Sequence, residues 1–393
     1  VQDRNEEASA LTLKSMALNA LYLGKEHPNY AVDLSLLAII NLDKGNYLLA
    51  DDLLSKAKAI NSIHFSKEHP EVAMAFILES ISFIYKNDGS LEEAKKSLQK
   101  GIQLMERSTG KNNPDLLIFL EFLAIMNLKD GEIILAEGTF KRIIQDIENR
   151  LGPNDIELIN SISSLADIYY SKEDYLNASV YFKRALLITE TYFGQNDLKV
   201  AQLKEDLAWS LYNQGMHSDG KALLKESLKI KVSVLGEDTK VADILNSIAY
   251  TYYDEGQYET SKVFFEKELE LRVGLTSDSD ASIVEPVMFL AKIEQHLSNF
   301  IAAKKHFHKA IRMKLALNQS NNDLANILNC LATIYHREEA FITAEALYKR
   351  ALNVNEIKDQ TKEAILKNLA SLQAECDKKE NRGLLRKQMA SVG

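Results

Sequence analysis

The chain has 393 residues, 46% of them hydrophobic, with a formal net charge of −9. That composition excludes a disordered chain, and the acidic balance without any lysine-rich arm excludes nucleic-acid backbone binding as the main activity, because such binding needs concentrated positive charge. The longest apolar stretch, Leu116 to Met126, is interrupted by Glu121 and is too short to insert across a bilayer.

The first residue is Val1 and no secretory leader follows it, which reads as a fragment or a processed form. Two cysteines, Cys330 and Cys376, form neither a disulfide framework nor a metal set, so a cytoplasmic location is expected. Residues 1–27 are expected to form one helix. Ala8 stands one period before Ala50, so this helix takes the second place in a repeat whose first helix is truncated or degenerate.

From residue 28 to 358 one pattern recurs eight times. A small residue falls at Ala38, Ser82, Ala124, Ala166, Ala208, Ala249, Ala291 and Ala332, with gaps of 44, 42, 42, 42, 41, 42 and 41 residues. Twelve residues after each comes a second small residue: Ala50, Ala94, Ala136, Ala178, Gly220, Ser261, Ala303 and Ala344. Four further on stands a large apolar one: Leu54, Leu98, Phe140, Phe182, Leu224, Phe265, Phe307 and Tyr348. A period of this length with two helical patterns and a turn predicts stacked helix pairs forming one solenoid. Small residues let the two helices of a pair approach, and the large side chain fills the space beside them.

Within each pair a tight turn is marked by Gly45, Gly89, Gly131, Gly215 and Gly256. Glu173, Ser298 and Glu339 take that place in three repeats, where a tighter-helical or differently closed turn is expected. Between pairs, His27-Pro28, His69-Pro70 and Asn113-Pro114 put a proline at a helix start, where its missing N–H costs nothing. Asn154-Asp155, Asn196-Asp197 and Asp238-Thr239 cap helices through side-chain oxygens instead. Residues 359–393 repeat the first-helix pattern in Ile365–Ala370, then lose it around Leu384 and gain charge, as expected of degenerate C-terminal capping helices.

No phosphate loop, nucleophile elbow or helical zinc motif is present, so no catalytic residue, metal site or cofactor is expected. His306 and His308 stand two apart on a helix and face different directions. Asp278-Ser279-Asp280 lacks the rest of a calcium loop and reads as a solvated loop.

Leu23-Gly24-Lys25-Glu26-His27-Pro28, Leu151-Gly152-Pro153-Asn154-Asp155 and Leu235-Gly236-Glu237-Asp238 share one form, and Leu331-Ala332-Thr333-Ile334-Tyr335 precedes Ala344-Glu345-Ala346-Leu347-Tyr348. On these residues the chain resembles the tetratricopeptide-repeat superfamily, in its 42-residue kinesin-light-chain-like branch, over nearly its whole length. The resemblance implies an all-α, right-handed superhelical solenoid of antiparallel helix pairs. It also implies a groove lined by first helices at positions six and three before, and one and four after, each first small residue.

Those positions hold Val32, Ile39, Leu42, Phe76, Phe83, Ile118, Ile125 and Leu128 in the early repeats. The six residues Val32, Ile39, Phe76, Phe83, Ile118 and Ile125 form an apolar interface stripe, a surface through which self-association is open. The middle repeats supply Asn160, Asp167, Tyr170, Gln202, Glu205, Trp209, Tyr212, Asp243, Asn246, Tyr250 and Tyr253. The later ones supply Glu285, Lys292, Gln295, Asn326, Asn329 and His336. Six carboxylates (Glu79, Glu121, Asp167, Glu205, Asp243, Glu285) stand against Lys86 and Lys292, so the expected partner is a protein or peptide that is basic or amine-bearing, with apolar anchors.

The chaperone-binding pattern of lysine, arginine and asparagine clamping a C-terminal carboxylate is not met: the matching positions hold Ser35, Glu79, Glu121, Ser163 and Glu205. The expected function is a non-enzymatic interaction module binding a partner peptide or helix in an aromatic, acidic groove. The alternative is a sensory or regulatory arm of a larger signalling or catalytic protein.

Overall fold

A computed structural model describes residues 2–66, 69–85, 91–111, 113–276, 280–319 and 321–390. Lys86, Gly89 and the Asp278-Ser279 pair singled out above lie outside the described residues. The chain divides at the end of the fourth helix pair into two compact units, Val1–Tyr192 and Phe193–Gly393.

The first unit opens with α1 (Gln2–Tyr22) and continues with four pairs. These are α2 (Pro28–Asp43) with α3 (Tyr47–His64), α4 (Pro70–Tyr85) with α5 (Leu91–Thr109), α6 (Leu116–Lys129) with α7 (Ile133–Leu151), and α8 (Leu158–Ser171) with α9 (Tyr175–Phe193). In the second unit α10 (Leu198–Asn213) pairs with α11 (His217–Leu235) and α12 (Thr239–Asp254) with α13 (Tyr258–Leu275). There α14 (Val284–His296) pairs with α15 (Phe300–Ala316) and α16 (Asn322–Arg337) with α17 (Phe341–Leu352). Among the described residues there is no strand, and no helix is long and apolar enough to cross a membrane.

The repeat pattern is the packing pattern. The small residues at both crossing positions are buried wherever their side chains are described, from Ala38 and Ala50 to Ala332 and Ala344. Beside them Leu98, Phe140, Phe182, Phe265, Phe307 and Tyr348 are fully buried. Each such side chain contributes about 1.5–3 kcal/mol by leaving water. Where the second small residue is Ser261, its hydroxyl donates to the Ala249 carbonyl at 2.7 Å, so the close crossing also satisfies a polar group.

The three glycine-free turns differ from expectation. Glu173, Ser298 and Glu339 all hold φ of 61°, the left-handed conformation that Gly45, Gly131, Gly215 and Gly256 take at 74–85°. Closure is also the same. Gly45 N–H donates to the Leu42 carbonyl at 3.0 Å and Asn46 N–H to Asn41 at 2.9 Å; Glu173 N–H donates to Tyr170 at 2.9 Å and Asp174 N–H to Tyr169 at 2.9 Å. Two hydrogen bonds ending each helix outweigh the steric cost of a side chain at positive φ.

The inter-repeat caps rotate through three residue types at one position. His27 and His69 accept from the N–H two residues on through Nδ1, at 3.2 and 3.3 Å. Asn113, Asp155, Asp197 and Asp238 do the same through Oδ1, at 2.7–3.0 Å. Pro28 and Pro70 begin their helices, whereas Pro114 does not: α6 starts at Leu116, after a turn in which Leu116 N–H donates to the Asn113 carbonyl at 3.0 Å.

The C-terminal expectation of capping helices is corrected to one helix, α18 (Asp359–Ala390). Gly383 is flanked by strong helix formers and no proline follows, so nothing stops the helix there. Ile365 and Leu372 of α18 are buried against the last pair.

Candidate functional site

In the first unit the groove positions are partly open and partly spent. Val32, Ile39, Ile118 and Ile125 are exposed, whereas Leu42 is only 3% exposed and belongs to the core. Leu128 is half-buried. The ring of Phe76 is half-buried between two ammonium groups, Lys58 at 4.3 Å and Lys100 at 4.2 Å. Glu79 is held by Lys58 at 3.1 Å and by the Ser97 hydroxyl at 3.0 Å. Phe83 lines a small cleft with Leu54, Ala75 and Lys58.

A larger cleft of about 400 Å³ opens between α6, α7 and α8, with Ile118, Ile143 and Ile147 as its apolar part and Glu121, Arg150 and Asn160 as its polar part. Asn160 and Asp167 are exposed on α8, and Tyr170 packs edge-on against Tyr175 at 5.3 Å. Asp167 touches solvent yet is desolvated by the surrounding protein, which pushes its carboxyl up to about 6. It has no ion-pair or hydrogen-bond partner among the described residues.

In the second unit the aromatic positions pack into a chain between successive first helices. Trp209 meets Tyr212 at 5.7 Å and Tyr250 at 6.4 Å; Tyr250 meets Phe289 at 5.9 Å, and Phe289 meets Tyr253 at 5.3 Å. Edge-on contacts of this kind hold neighbouring first helices together. Tyr250 keeps 41% of its surface open, whereas Tyr212 is buried. The groove role expected of Tyr212 is therefore corrected: its hydroxyl donates to Asp254 at 2.9 Å and the ring packs between repeats.

The acidic positions of this unit are largely neutralised from within. Glu205 is bound by Lys231 at 2.6 Å and also accepts from Ser227. Asp243 is bound by Arg272 at 2.8 Å. Arg272 bridges onward to Glu268 at 2.8 Å, and Asn246 donates to the same carboxylate at 3.1 Å. Gln202 donates to Asp206 at 3.0 Å. Glu285 is exposed. Of the acidic groove positions expected from the sequence, Glu205 and Asp243 are thus held internally in this unit.

Asn326 is half-buried, and α18 reaches two of the late groove positions: Asn329 accepts from Asn368 at 3.0 Å, and His336 lies 3.3 Å from Glu375. His308 meets the Tyr335 hydroxyl at 3.5 Å. No group of three or more His, Cys, Asp or Glu that could hold a metal occurs among the described residues.

Sequence reasoning missed the side chains that reach the groove from second helices. Lys231, Arg272 and Lys314 stand eleven residues after Gly220, Ser261 and Ala303. Each pairs with a first-helix carboxylate: Glu205, Asp243 and Asp323. Their shared register was a signal available in the sequence. Phe289 lies off the expected positions and carried none.

A family profile described as "Tetratricopeptide repeat" matches residues 160–192 and 242–272, and the helix-pair stacking continues the same period on either side of both. Those two segments are tetratricopeptide repeats. No curated protein sequence matches the chain. The apo form of RapI is similar at a TM-score of 0.59 and 15% identity, over 82% of this chain and 85% of that one. BtubC (BKLC) from P. vanneervenii is similar at 0.50 and 17%, over 59% and 92%. A Signal Transduction ATPase with Numerous Domains protein with a tetratricopeptide repeat sensor, from Pyrococcus horikoshii, is similar at 0.50 and 17%, over 75% of this chain and 47% of that one. These likenesses show the fold.

One pair in the second of the two matched repeats is energetically unusual. Glu268 is fully buried, and burial pushes its carboxyl up to about 7, against the opposing pull of Arg272 and Asn246. Glu285 on α14 pushes the same way. Desolvation thus exceeds the attraction of the pair.

Proposed function

We infer that this protein is an interaction scaffold that binds an extended peptide or helix along first helices, with a basic or amine-bearing residue of the partner meeting Asp167. Tetratricopeptide repeats form protein–protein interaction scaffolds, and the observation that carries the finer reading is the free carboxyl of Asp167. Of the six groove carboxylates noted in the sequence, Glu79, Glu205 and Asp243 are ion-paired internally and Glu121 accepts from Ser161 at 3.5 Å. Asp167 and Glu285 are exposed, and Asp167 is the one that shares its unit with the exposed isoleucines of α6. The exposed side chains of Ile118 and Ile125 on α6 supply apolar contact in the same unit. A partner with a lysine or arginine beside an apolar anchor matches both features.

The test is an array of nonamer peptides carrying lysine, arginine or neutral residues beside leucine or phenylalanine. Wild type should retain a basic subset that the Asp167→Lys variant loses, with affinity falling as salt rises. Equal retention by both proteins would remove the assignment to Asp167.

A further inference from the structure

The second unit contains a cleft of about 350 Å³ between α12, α14 and α16 whose lining includes Lys292, Arg337, Tyr253, His296 and Ser298 and no acidic residue. Its volume lies in the range of small-ligand sites, about 300–1,000 Å³. Lys292 and Arg337 form no ion pair among the described residues; Lys292 lies 5.1 Å from the Phe289 ring centroid. This contrasts with Lys231, Arg272 and Lys314 of the same unit, each of which has a carboxylate partner.

Four acidic side chains of the adjoining segments are engaged elsewhere. Glu294 binds Lys262 at 2.7 Å, Glu338 binds Lys304 at 2.8 Å, Glu255 binds Lys221 at 2.5 Å, and Asp254 accepts from Tyr212 at 2.9 Å. The cleft thus holds two cations without an ion-paired carboxylate among the described residues.

Its neutral groups are hydrogen-bond donors or carry donors. The Tyr253 hydroxyl lies 3.5 Å from His296 Nε2, and burial pushes its ionisation up to about 12, so it keeps its proton. Tyr258 stacks on His296 at 4.3 Å and fixes that ring. Gln295 is oriented by its 3.0 Å bond to the Thr333 hydroxyl. The Ser298 hydroxyl sits on the left-handed turn between α14 and α15. Two cations with hydroxyl and imidazole donors around them exceed what the two oxygens of a carboxylate use. A phosphate monoester, with close to two negative charges and three acceptor oxygens, matches them in charge and in donor number.

We propose that this cleft binds a phosphate monoester carried on a side chain of a partner peptide, held by Lys292 and Arg337 and oriented by Tyr253 and Ser298. The peptide carrier rests on the scaffold reading above; the anion site is tested separately from it.

The experiment titrates the full chain, labelled with ¹³C at histidine, with N-acetyl-O-phosphoserine amide, N-acetylglutamate amide, N-acetylserine amide and inorganic phosphate. The His296 signal, assigned with a His296→Gln variant, is followed. The phosphoserine probe should shift it saturably, at least tenfold more tightly than the glutamate probe, and the serine probe should leave it unmoved. Lys292→Met and Arg337→Met should each weaken the phosphoserine probe at least fivefold. Lys292→Arg, with unchanged melting, should restore most of that loss, which separates charge from folding.

Asp167→Lys should leave this titration unchanged, so a failed groove reading is distinguishable from a failed cleft. No saturable shift, or equal affinity in the charge-removed variants, overturns the site. Equal affinity for the glutamate probe overturns the phosphate assignment. Tighter binding of inorganic phosphate than of the phosphoserine probe overturns the peptide carrier.

Discussion

Gly220 on α11 crosses Ala208 on α10 so closely that a Cβ built on the glycine would lie 2.8 Å from the Ala208 carbonyl oxygen. The other described repeats accommodate alanine or serine at that place, whereas the α10–α11 crossing leaves no room for a Cβ without a shift of backbone. Gly220→Ala gains about 1 kcal/mol of helix propensity but meets backbone rather than a flexible side chain. We expect a net loss of about 1–3 kcal/mol, the usual cost of overpacking, read as a lower midpoint in urea. A variant as stable as wild type would mean that the pair opens without penalty.

The three left-handed non-glycine residues invert that logic. Glu173, Ser298 and Glu339 bear a side chain at φ of 61° in turns that glycine closes elsewhere in the chain. Replacing any one by glycine removes steric strain of about 1–2 kcal/mol and adds unfolded-chain entropy of about 0.4–1 kcal/mol. The expected gain is ~0.5–1 kcal/mol each, measured by chemical denaturation. Gly131→Ala, at φ of 77°, should lose a comparable amount.

These two cases mark how far the sequence was legible. Helix pairs, their crossing residues and the buried large side chains follow from a period that every repeat obeys, since each pair must bury the same face. Turn geometry was misjudged at Glu173, Ser298 and Glu339 because residue type was weighed above the hydrogen bonds that close the turn. The groove was half legible. First-helix positions named Asp243 and Glu205, but whether a carboxylate is free depends on a side chain from the next helix, Arg272 or Lys231, some 26–29 residues on. Tyr212 looked like a ligand contact because period alone cannot tell a ring that faces outward from one that bridges two helices.

Glu268 sets a pH dependence whose sign is opposite to that of a surface salt bridge. Its carboxyl titrates near 7 in the fold and near the ordinary 4.5 when unfolded. Between those values the folded state holds more protons, so stability falls as pH rises through the window and is lower above about 7. At about 1.4 kcal/mol per unit the loss is on the order of 3 kcal/mol. Glu268→Gln keeps the shape and an acceptor for Arg272 while removing the charge. Its denaturation midpoint should match wild type near pH 4.5 and exceed it at pH 8, with the difference growing between them. A difference that is constant with pH would show that Glu268 is ionised throughout.

Asp167 carries the corresponding prediction for binding. Its carboxyl titrates near 6, raised by desolvation with no cation beside it, and it can attract a lysine or arginine only when ionised. Affinity for a basic peptide retained by the wild type should be full above about pH 7 and decline as pH falls through 6. The partner's own cation will in turn draw that titration lower in the complex, so the decline should be displaced to more acid pH when peptide is saturating. Asp167→Asn should bind as weakly at pH 8 as wild type does at pH 5, and should show no pH dependence between them. Glu205→Gln, whose carboxylate is already bound by Lys231, should retain the wild-type profile. Fluorescence anisotropy of the labelled peptide measured at half-unit intervals from pH 5 to 8 checks all three proteins. A variant at Asp167 that still loses affinity near pH 6 would assign the titration to another group and release Asp167 from the groove.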